Sequence, residues 1–166
     1  MSTTKVDETR ERASGAALEP DTLAAWRGFL RVHSALAKRL DAELAAAHGL
    51  SLSSYEVLLF LADAPEGRLR MSDLAESVLL SRSGLTRLVD RLERDGLVRR
   101  QSCPSDLRGF NALITEDGRK LFAAARRTHL AGVREHFTDR FSGDELRTLA
   151  GFWERVRSGA AGPGTC

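Results

Sequence analysis

The sequence predicts a mainly α-helical protein with one small β-hairpin, and three observations support this fold class. Apolar residues recur at spacings of three and four over much of residues 20–157, which is the period of an amphipathic helix. Residues that favour helix starts precede several of these segments, and Gly or Pro follows some of them. Residues 97–114 differ, because two apolar/polar stretches flank a turn there, as in a hairpin.

The first predicted helix is long, beginning at Pro20 and ending at His48-Gly49. Its apolar face runs through positions 23, 26, 30, 33, 37, 40 and 44, of which position 33 is a histidine. A second stripe widens this face and consists of Phe29, Val32 and Leu36. A helix with so wide an apolar face is often buried on two sides, so we expect this one to lie in a subunit interface.

Two short helices are predicted next. Ser53 and Glu56 have the capping-box spacing ahead of an apolar run, which predicts a helix start. The breaker Pro65-Glu66-Gly67 is expected to end that helix. Ser72-Asp73 is then expected to cap a third helix that runs to about Leu79.

A fourth helix and the hairpin follow. Ser81 is expected to cap the helix, which runs to Asp95. Residues 97–102 and 109–114 flank the turn Cys103-Pro104-Ser105-Asp106 and are expected to pair as the hairpin. Two short helices followed by a hairpin describe a winged helix-turn-helix. In that motif the second short helix enters the major groove of DNA and the hairpin lies beside it along the backbone.

Two more helices and two tails complete the prediction. Thr115 is expected to begin a fifth helix that runs to about Phe137. Ser142 and Glu145 form another capping box, ahead of a sixth helix with apolar positions Leu146, Leu149, Trp153 and Val156. Residues 1–19 and 158–166 have no apolar period and are expected to be disordered.

The composition narrows the possible classes of protein. The 166 residues are 42% hydrophobic and 29% charged, which is typical of a globular chain. The longest apolar run, Val57–Ala62, is six residues, far short of the ~20 that span a bilayer. Two cysteines provide no disulfide framework and the N-terminus has no secretory pattern. We therefore expect a cytoplasmic protein.

The net charge of +2 does not predict a nucleic-acid binder, but the local charge does. Residues 81–108 contain seven arginines and four acidic residues, a net charge of +3. A helical projection of the fourth helix gathers its leucines and valine on one side. The opposite side carries Ser83, Thr86, Arg87, Asp90, Arg91 and Arg94, with Arg82 on the flank. The alternative is a solvated helix face with pairs such as Asp90–Arg94.

Four segments closely resemble the MarR family of bacterial regulators. They are Met71-Ser-Asp-Leu-Ala-Glu76, the run from Ser81 to Val98, Asp106-Leu-Arg-Gly109 and Leu113-Ile-Thr-Glu-Asp-Gly118. The resemblance covers about residues 21–157. It implies a homodimer with intertwined terminal helices and one winged helix per subunit. It further implies that the dimer binds a pseudo-palindromic operator, that a small ligand weakens this binding, and that the protein is more often a repressor than an activator.

The resemblance also implies a division of the chain and a set of DNA contacts. Residues 20–50 and 115–157 would be dimerisation helices, and residues 51–114 the winged helix-turn-helix. Asp106 would brace Arg108, which reaches the minor groove, while Leu107 stands where many members carry another Arg. The candidate DNA-binding residues are Arg82, Ser83, Thr86, Arg87, Arg91, Arg99, Asp106 and Arg108.

An effector pocket is implied where the dimerisation helices meet the winged helix. The candidate ligand-binding residues are Trp26, Phe29, His33, Tyr55, Asp63 and Arg70. An aromatic wall with a cation suits a small aromatic or phenolic anion. In the alternative, Trp26 and Phe29 belong to the dimer core and Arg70 contacts a phosphate.

Other functions are expected to be absent or remain alternatives. The sequence has no phosphate-binding Gly-rich loop, no Gly-x-Ser-x-Gly and no His-Glu-x-x-His, so no enzyme and no cofactor are expected. His33, His129 and His136 are spaced too loosely to predict a metal site. A metal-sensing regulator, a redox-sensing regulator using Cys103, and a winged-helix module that binds a protein partner remain the alternatives.

Overall fold

The computed structural model describes residues 18–78, 80–103 and 106–160. Its elements in order are helix α1 (Pro20–His48), α2 (Leu52–Asp63), a 3-10 turn (Pro65–Gly67), strand β1 (Arg68–Arg70), α3 (Met71–Ser77), α4 (Arg82–Arg94), β2 (Val98–Cys103), β3 (Asp106–Ile114), α5 (Glu116–His136), a 3-10 turn (Thr138–Arg140) and α6 (Gly143–Ala160). The predicted mainly α-helical class with a small β-hairpin is confirmed. The described residues divide into two compact units, residues 18–35 and 36–160.

The hydrophobic core of the second unit is formed mainly by α2, α3, α4 and the hairpin, with Leu44 of α1 and Ala125 of α5. Its fully buried side chains include Leu58, Leu61, Leu74, Leu85, Leu92 and Val98. Burying one such side chain stabilises a fold by about 1.5–3 kcal/mol. Helix α4 places four residues in this core, so packing fixes its orientation.

The sheet has three strands in the order β1-β3-β2, all antiparallel. The predicted hairpin is confirmed as β2 and β3, although β3 begins at Asp106 rather than at residue 109. Strand β1 was not predicted. It pairs with β3 through Leu69 opposite Ala112, and a three-residue strand is too short to produce a recognisable alternation.

The turn before β1 requires backbone that most residues avoid. Glu66 has φ 56° and Gly67 has φ 68°, both in the left-handed region. A Cβ at Gly67 would also lie 2.9 Å from Cγ2 of Ile114. The breaker therefore ends α2, as predicted, and also turns the chain so that β1 can pair with β3.

The predicted start of α2 is wrong by two residues. Its N-cap is Ser51, whose hydroxyl accepts a hydrogen bond from the Ser54 N–H at 3.2 Å. The Leu52 N–H donates to Asp41 Oδ1 of α1 at 2.8 Å. The helix therefore begins before Ser53, because the Asp41 carboxylate of α1 satisfies the Leu52 N–H.

The predicted cap of α3 is also wrong. The helix begins at Met71 with Arg70 as its N-cap residue, so Ser72 and Asp73 lie in its first turn. The Ser72 hydroxyl donates to Asp73 Oδ1 at 2.9 Å. The helix ends at Ser77, and Leu79, its predicted end, lies outside the described residues.

The other predicted helix starts are confirmed. Ser81 accepts from the Gly84 N–H at 3.1 Å, and Thr115 accepts from the Gly118 N–H at 3.0 Å. In the second capping box, the Ser142 N–H donates to Glu145 Oε2 at 2.7 Å, and the Glu145 N–H donates to Ser142 Oγ at 3.3 Å.

The outer limits of the helices differ little from prediction. Helix α1 spans Pro20–His48 as expected. Helix α6 continues to Ala160, so the expectation of a disordered tail from residue 158 is wrong for residues 158–160. The remainder of both predicted tails, residues 1–17 and 161–166, falls outside the described part of the chain.

A helix that crosses a bilayer needs about 20 consecutive, mostly apolar residues. None of the described helices is by itself long and apolar enough to cross one. The bent pair Pro20–His48 and Leu52–Asp63 satisfies length and composition only when the two helices are joined.

Candidate nucleic-acid interface

Helix α4 separates its side chains as the sequence predicts. Its buried side chains are Leu85, Leu88, Val89 and Leu92. Its exposed side chains are Arg82, Ser83, Thr86, Arg87, Arg91 and Arg94. The packed leucines hold the helix in place, while its other side offers cations and hydroxyls that suit phosphates and base edges.

The N-terminal end of α4 is ordered by local hydrogen bonds. The Ser81 hydroxyl caps the helix and lies 3.2 Å from the hydroxyl of Ser83. The Thr86 hydroxyl donates to the Arg82 carbonyl at 2.9 Å, which leaves its oxygen able to accept. Because free N–H groups and the positive end of the helix dipole lie at this end, it favours a nearby anion.

Arg100 of β2 joins the hairpin to α4. Its Nη1 donates to Asp90 Oδ1 at 2.5 Å and to Glu93 Oε2 at 3.0 Å. Its Nη2 donates to the Thr86 carbonyl at 3.2 Å, and its backbone N–H donates to Glu93 Oε1 at 2.8 Å. We call this set of contacts the Arg100 clamp.

The clamp was not predicted, and it takes the place of a contact expected from the sequence as part of an alternative. The alternative interpretation paired the carboxylate of Asp90 with Arg94. That carboxylate instead pairs with Arg100, and Arg94 Nε contacts the Asp90 main-chain carbonyl at 3.4 Å. The only sequence signal was the spacing of Thr86, Asp90 and Glu93, which lie on one side of a helix.

The remaining candidate DNA contacts lie on the hairpin. Arg99 is exposed on β2. The backbone of Asp106 and Arg108 belongs to β3, but their side chains lie outside the described residues, as do those of Leu107 and Cys103. The predicted bracing of Arg108 therefore stays a prediction.

The candidate ligand-binding residues of the first unit form an aromatic series along α1. The rings of Trp26 and Phe29 are 5.9 Å apart, and those of Phe29 and His33 are 6.2 Å apart. Trp26 is 53% exposed and Phe29 is 40% exposed. This spacing suits either a ligand wall or a subunit contact.

The candidates in the second unit differ in burial. Asp63 and Arg70 are exposed, whereas Tyr55 is 3% exposed. Its ring lies 4.5 Å from that of His129 and 5.5 Å from that of Phe122. Burial raises the pKa of Tyr55, which Arg126 opposes and Asp63 reinforces. Tyr55 is thus part of the core cluster.

A cleft that sequence reasoning missed lies beside the C-terminal end of α4. Its volume is about 400 Å³, within the range of small-molecule sites. Its polar lining includes His48, Ser51, Ser54, Arg91 and Asp95. None of the six predicted ligand-binding residues lines this cleft.

Two histidines of the second unit are hydrogen-bonded to neighbouring side chains. His48 Nε2 hydrogen-bonds Thr128 Oγ1 at 2.8 Å, and His136 Nε2 lies 2.5 Å from Glu43 Oε1. The buried Nδ1 of His129 has no hydrogen-bond partner among the described residues. Within residues 18–78, 80–103 and 106–160, no three His, Cys, Asp or Glu side chains are grouped to hold a metal ion.

His129 makes a prediction about pH possible. Burial lowers the pKa of its imidazole, an effect that Glu43 opposes, so folding favours the neutral form. The stability from this group is complete above the unfolded pKa of about 6.5 and is lost as the pH falls toward the folded value. We expect His129→Gln to unfold at a temperature that changes less than that of the wild type between about pH 7.5 and pH 5.

The measurement is thermal unfolding by circular dichroism at several pH values. His48→Gln is the matched control, since His48 also lies in the second unit and hydrogen-bonds Thr128. An identical pH dependence in His129→Gln and the wild type would show that this imidazole does not contribute.

Comparison with known proteins identifies relatives by sequence and by fold. A model of the MarR family matches residues 48–109. The HTH-type transcriptional repressor YetL of Bacillus subtilis is 28% identical over 114 residues, which are 67% of this chain and 68% of YetL.

Two solved structures from Streptomyces coelicolor are similar in fold and sequence. The MarR family transcriptional regulator AbsC is 33% identical with a TM-score of 0.82, and the match covers 90% of this chain and all of AbsC (100%). The MarR family regulator Sco3205, in complex with DNA, is 32% identical with a TM-score of 0.84, covering 90% of this chain and 93% of that one.

Proposed function

The chain belongs to the MarR family of transcriptional regulators, which are not enzymes, and on this premise we propose that it represses transcription by binding operator DNA as a homodimer. The operator is a pseudo-palindromic duplex, the protein acts in the cytoplasm, and a small ligand releases it from DNA.

The exposed face of α4 is the observation that carries the proposal. Its arginines and hydroxyls lie on the exposed side of the helix, whose other side is buried and whose N-terminus is capped by Ser81. A recognition helix needs this combination, because base edges are read by side chains held in a fixed register. The solved complex of Sco3205 with DNA supports the same use of this fold.

The homodimer is supported by apolar side chains that each unit leaves exposed. In the first unit these are Trp26, Phe29, Leu30 and Val32, and in the second they include Phe141, Phe152, Trp153 and Val156. Exposed apolar patches of this kind mark interaction sites. A second copy of the chain would cover them, and an obligate dimer of this type buries more than ~2,000 Å².

Repression follows if the operator overlaps a promoter. A dimer that covers a promoter excludes RNA polymerase. The relative YetL, whose match covers about two thirds of each chain, is named a repressor. The proposed effector is a small aromatic or phenolic anion. Trp26, Phe29, His33, Tyr55, Asp63 and Arg70 remain its candidate contacts.

Selection from a randomised duplex library tests the proposed function. The full chain is incubated with the library in the presence of competitor DNA, and retained duplexes are sequenced. We expect enrichment of an inverted repeat whose half-sites are about 10–10.5 bp apart, centre to centre. Retention without any enriched sequence, or no retention, would favour the protein-interaction alternative.

The wing is expected to contribute affinity without base identity. Arg108→Ala should weaken binding to the selected duplex and to a scrambled duplex by similar factors, because a backbone contact positions the protein and reads no base. The salt slope should fall by about one unit per lost contact, or about two per dimer. Leu107→Arg should change both quantities in the opposite direction.

Titrations of both duplexes at several salt concentrations measure these effects. Asp106→Ala should give a milder form of the Arg108→Ala result if Asp106 only braces Arg108. Loss of preference for the selected duplex with unchanged affinity for the scrambled one would mean that Arg108 reads groove shape.

A further inference from the structure

The Arg100 clamp holds three positions on one side of α4. Thr86, Asp90 and Glu93 are separated by four and three residues, so they form a stripe along the helix. One guanidinium reaches all three positions, using Nη1 for the two carboxylates and Nη2 for the Thr86 carbonyl. The planar fork of Arg suits this arrangement, whereas Lys would act as a point charge.

In the clamp, Arg100 neutralises two carboxylates that lie next to the exposed face of α4. The side chain of Asp90 is 48% exposed and that of Glu93 is 39% exposed. Asp90 follows Arg87 by one helical turn and precedes Arg94 by another. A phosphate that approaches these arginines therefore also approaches a carboxylate, and like charges placed together disfavour binding.

Arg100 itself is poorly available to a ligand. Its side chain is 22% exposed, and both of its terminal nitrogens already donate to α4. Its backbone N–H is engaged by Glu93 as well. The residue is thus built into the junction between β2 and α4.

We propose that Arg100 is a positioning residue of the DNA interface, which holds β2 against α4 and cancels the charge of Asp90 without touching DNA. The inference rests on the proposed function, since it concerns how α4 meets DNA. It makes two separable statements: the charge of Arg100 sets affinity for any duplex, and its fork sets the preference for the selected sequence.

Three variants separate these statements. Arg100→Gln removes the charge and the fork, and should bind both the selected and the scrambled duplex about tenfold more weakly. The double variant R100Q/D90N has the net charge of the wild type, so its affinity for the scrambled duplex and its salt slope should return to about the wild-type values. Arg100→Lys keeps the charge but should lose part of the preference for the selected duplex.

Lys120→Gln is the matched control. Lys120 lies 3.9 Å from Glu116 and 3.7 Å from Asp117, so its removal also leaves two carboxylates without their cation. It is on α5 rather than at the junction with α4, and its variant should bind both duplexes within about twofold of the wild type. Thermal unfolding of every variant shows whether a loss of binding reflects loss of the fold.

The outcomes are distinguishable. If the wild type binds no duplex, the proposed function fails. If it binds and Arg100→Gln binds equally well, with or without a lower unfolding temperature, Arg100 has only a structural role. If R100Q/D90N stays as weak as Arg100→Gln on the scrambled duplex with a reduced salt slope, Arg100 contacts phosphate itself. If Arg100→Lys retains the full preference, the fork does not position α4.

Discussion

Replacing Phe152 and Trp153 together by Asp is expected to convert the proposed dimer into a monomer and to abolish operator binding at micromolar concentration. These side chains are 47% and 45% exposed on α6. Buried aromatic anchors of an interface contribute about 2 kcal/mol or more each. Each subunit of a symmetric dimer loses both side chains, so the dimer should weaken by at least about a thousandfold, since about 1.4 kcal/mol is a factor of ten.

DNA binding should disappear with the dimer. A dimer binds two half-sites at once, which raises its affinity far above that of a monomer bound to one half-site. Sedimentation at several protein concentrations measures the assembly, and titration with the selected duplex measures binding. Ser158→Asp is the control, because it also adds an acidic side chain to α6 but on the side opposite Trp153, with one added negative charge where the double variant adds two. A wild-type chain that sediments as a folded monomer, or a double variant that still forms dimers, would contradict the proposed interface.

The second large effect is expected from Arg87→Ala. Arg87 is exposed on α4, one to two turns from the capped N-terminus, where a recognition helix reaches base edges. Losing a bidentate contact to a base costs about 1–3 kcal/mol for each subunit. Affinity for the selected duplex should fall accordingly, and the preference at one base pair of each half-site should relax.

Competition between duplexes with single base changes measures that preference. The unfolding temperature should stay unchanged, because the side chain of Arg87 is not part of the core. Lys120→Ala removes an exposed cation from α5 and serves as the control. An Arg87→Ala variant with wild-type affinity and an unaltered base profile would exclude Arg87 from sequence recognition.

Features encoded by neighbouring residues were predicted from the sequence. The start of α4 at Ser81 and the start of α5 at Thr115 depend on one hydroxyl and an N–H three residues later. The buried and exposed sides of α4 follow from a period of 3.6 residues. Both signals are complete within a short segment, so no knowledge of the rest of the fold is needed.

Features that depend on distant residues were missed. Ser51 rather than Ser53 caps α2, next to an N–H that Asp41 of α1 satisfies. Strand β1 exists only because β3 lies beside it. Arg100 differs from its neighbour Arg99 only by the side of the strand on which it lies, and the sequence does not state which side faces α4. In each case the partner is brought near by the tertiary fold.

The central position of β3 has a mechanical consequence. On one side it is bonded to β1, which continues directly into α3, and on the other to β2, whose Arg100 is bonded to α4. The two helices of the DNA-binding motif pack in one core. Together with the sheet they form a closed ring, joined by the chain itself where β1 continues into α3 and by hydrogen bonds at β3 and at Arg100. Each member of this ring is attached to two others. A ligand that changes DNA binding by displacing α3 or α4 therefore has to move the ring as a whole or break one of these attachments.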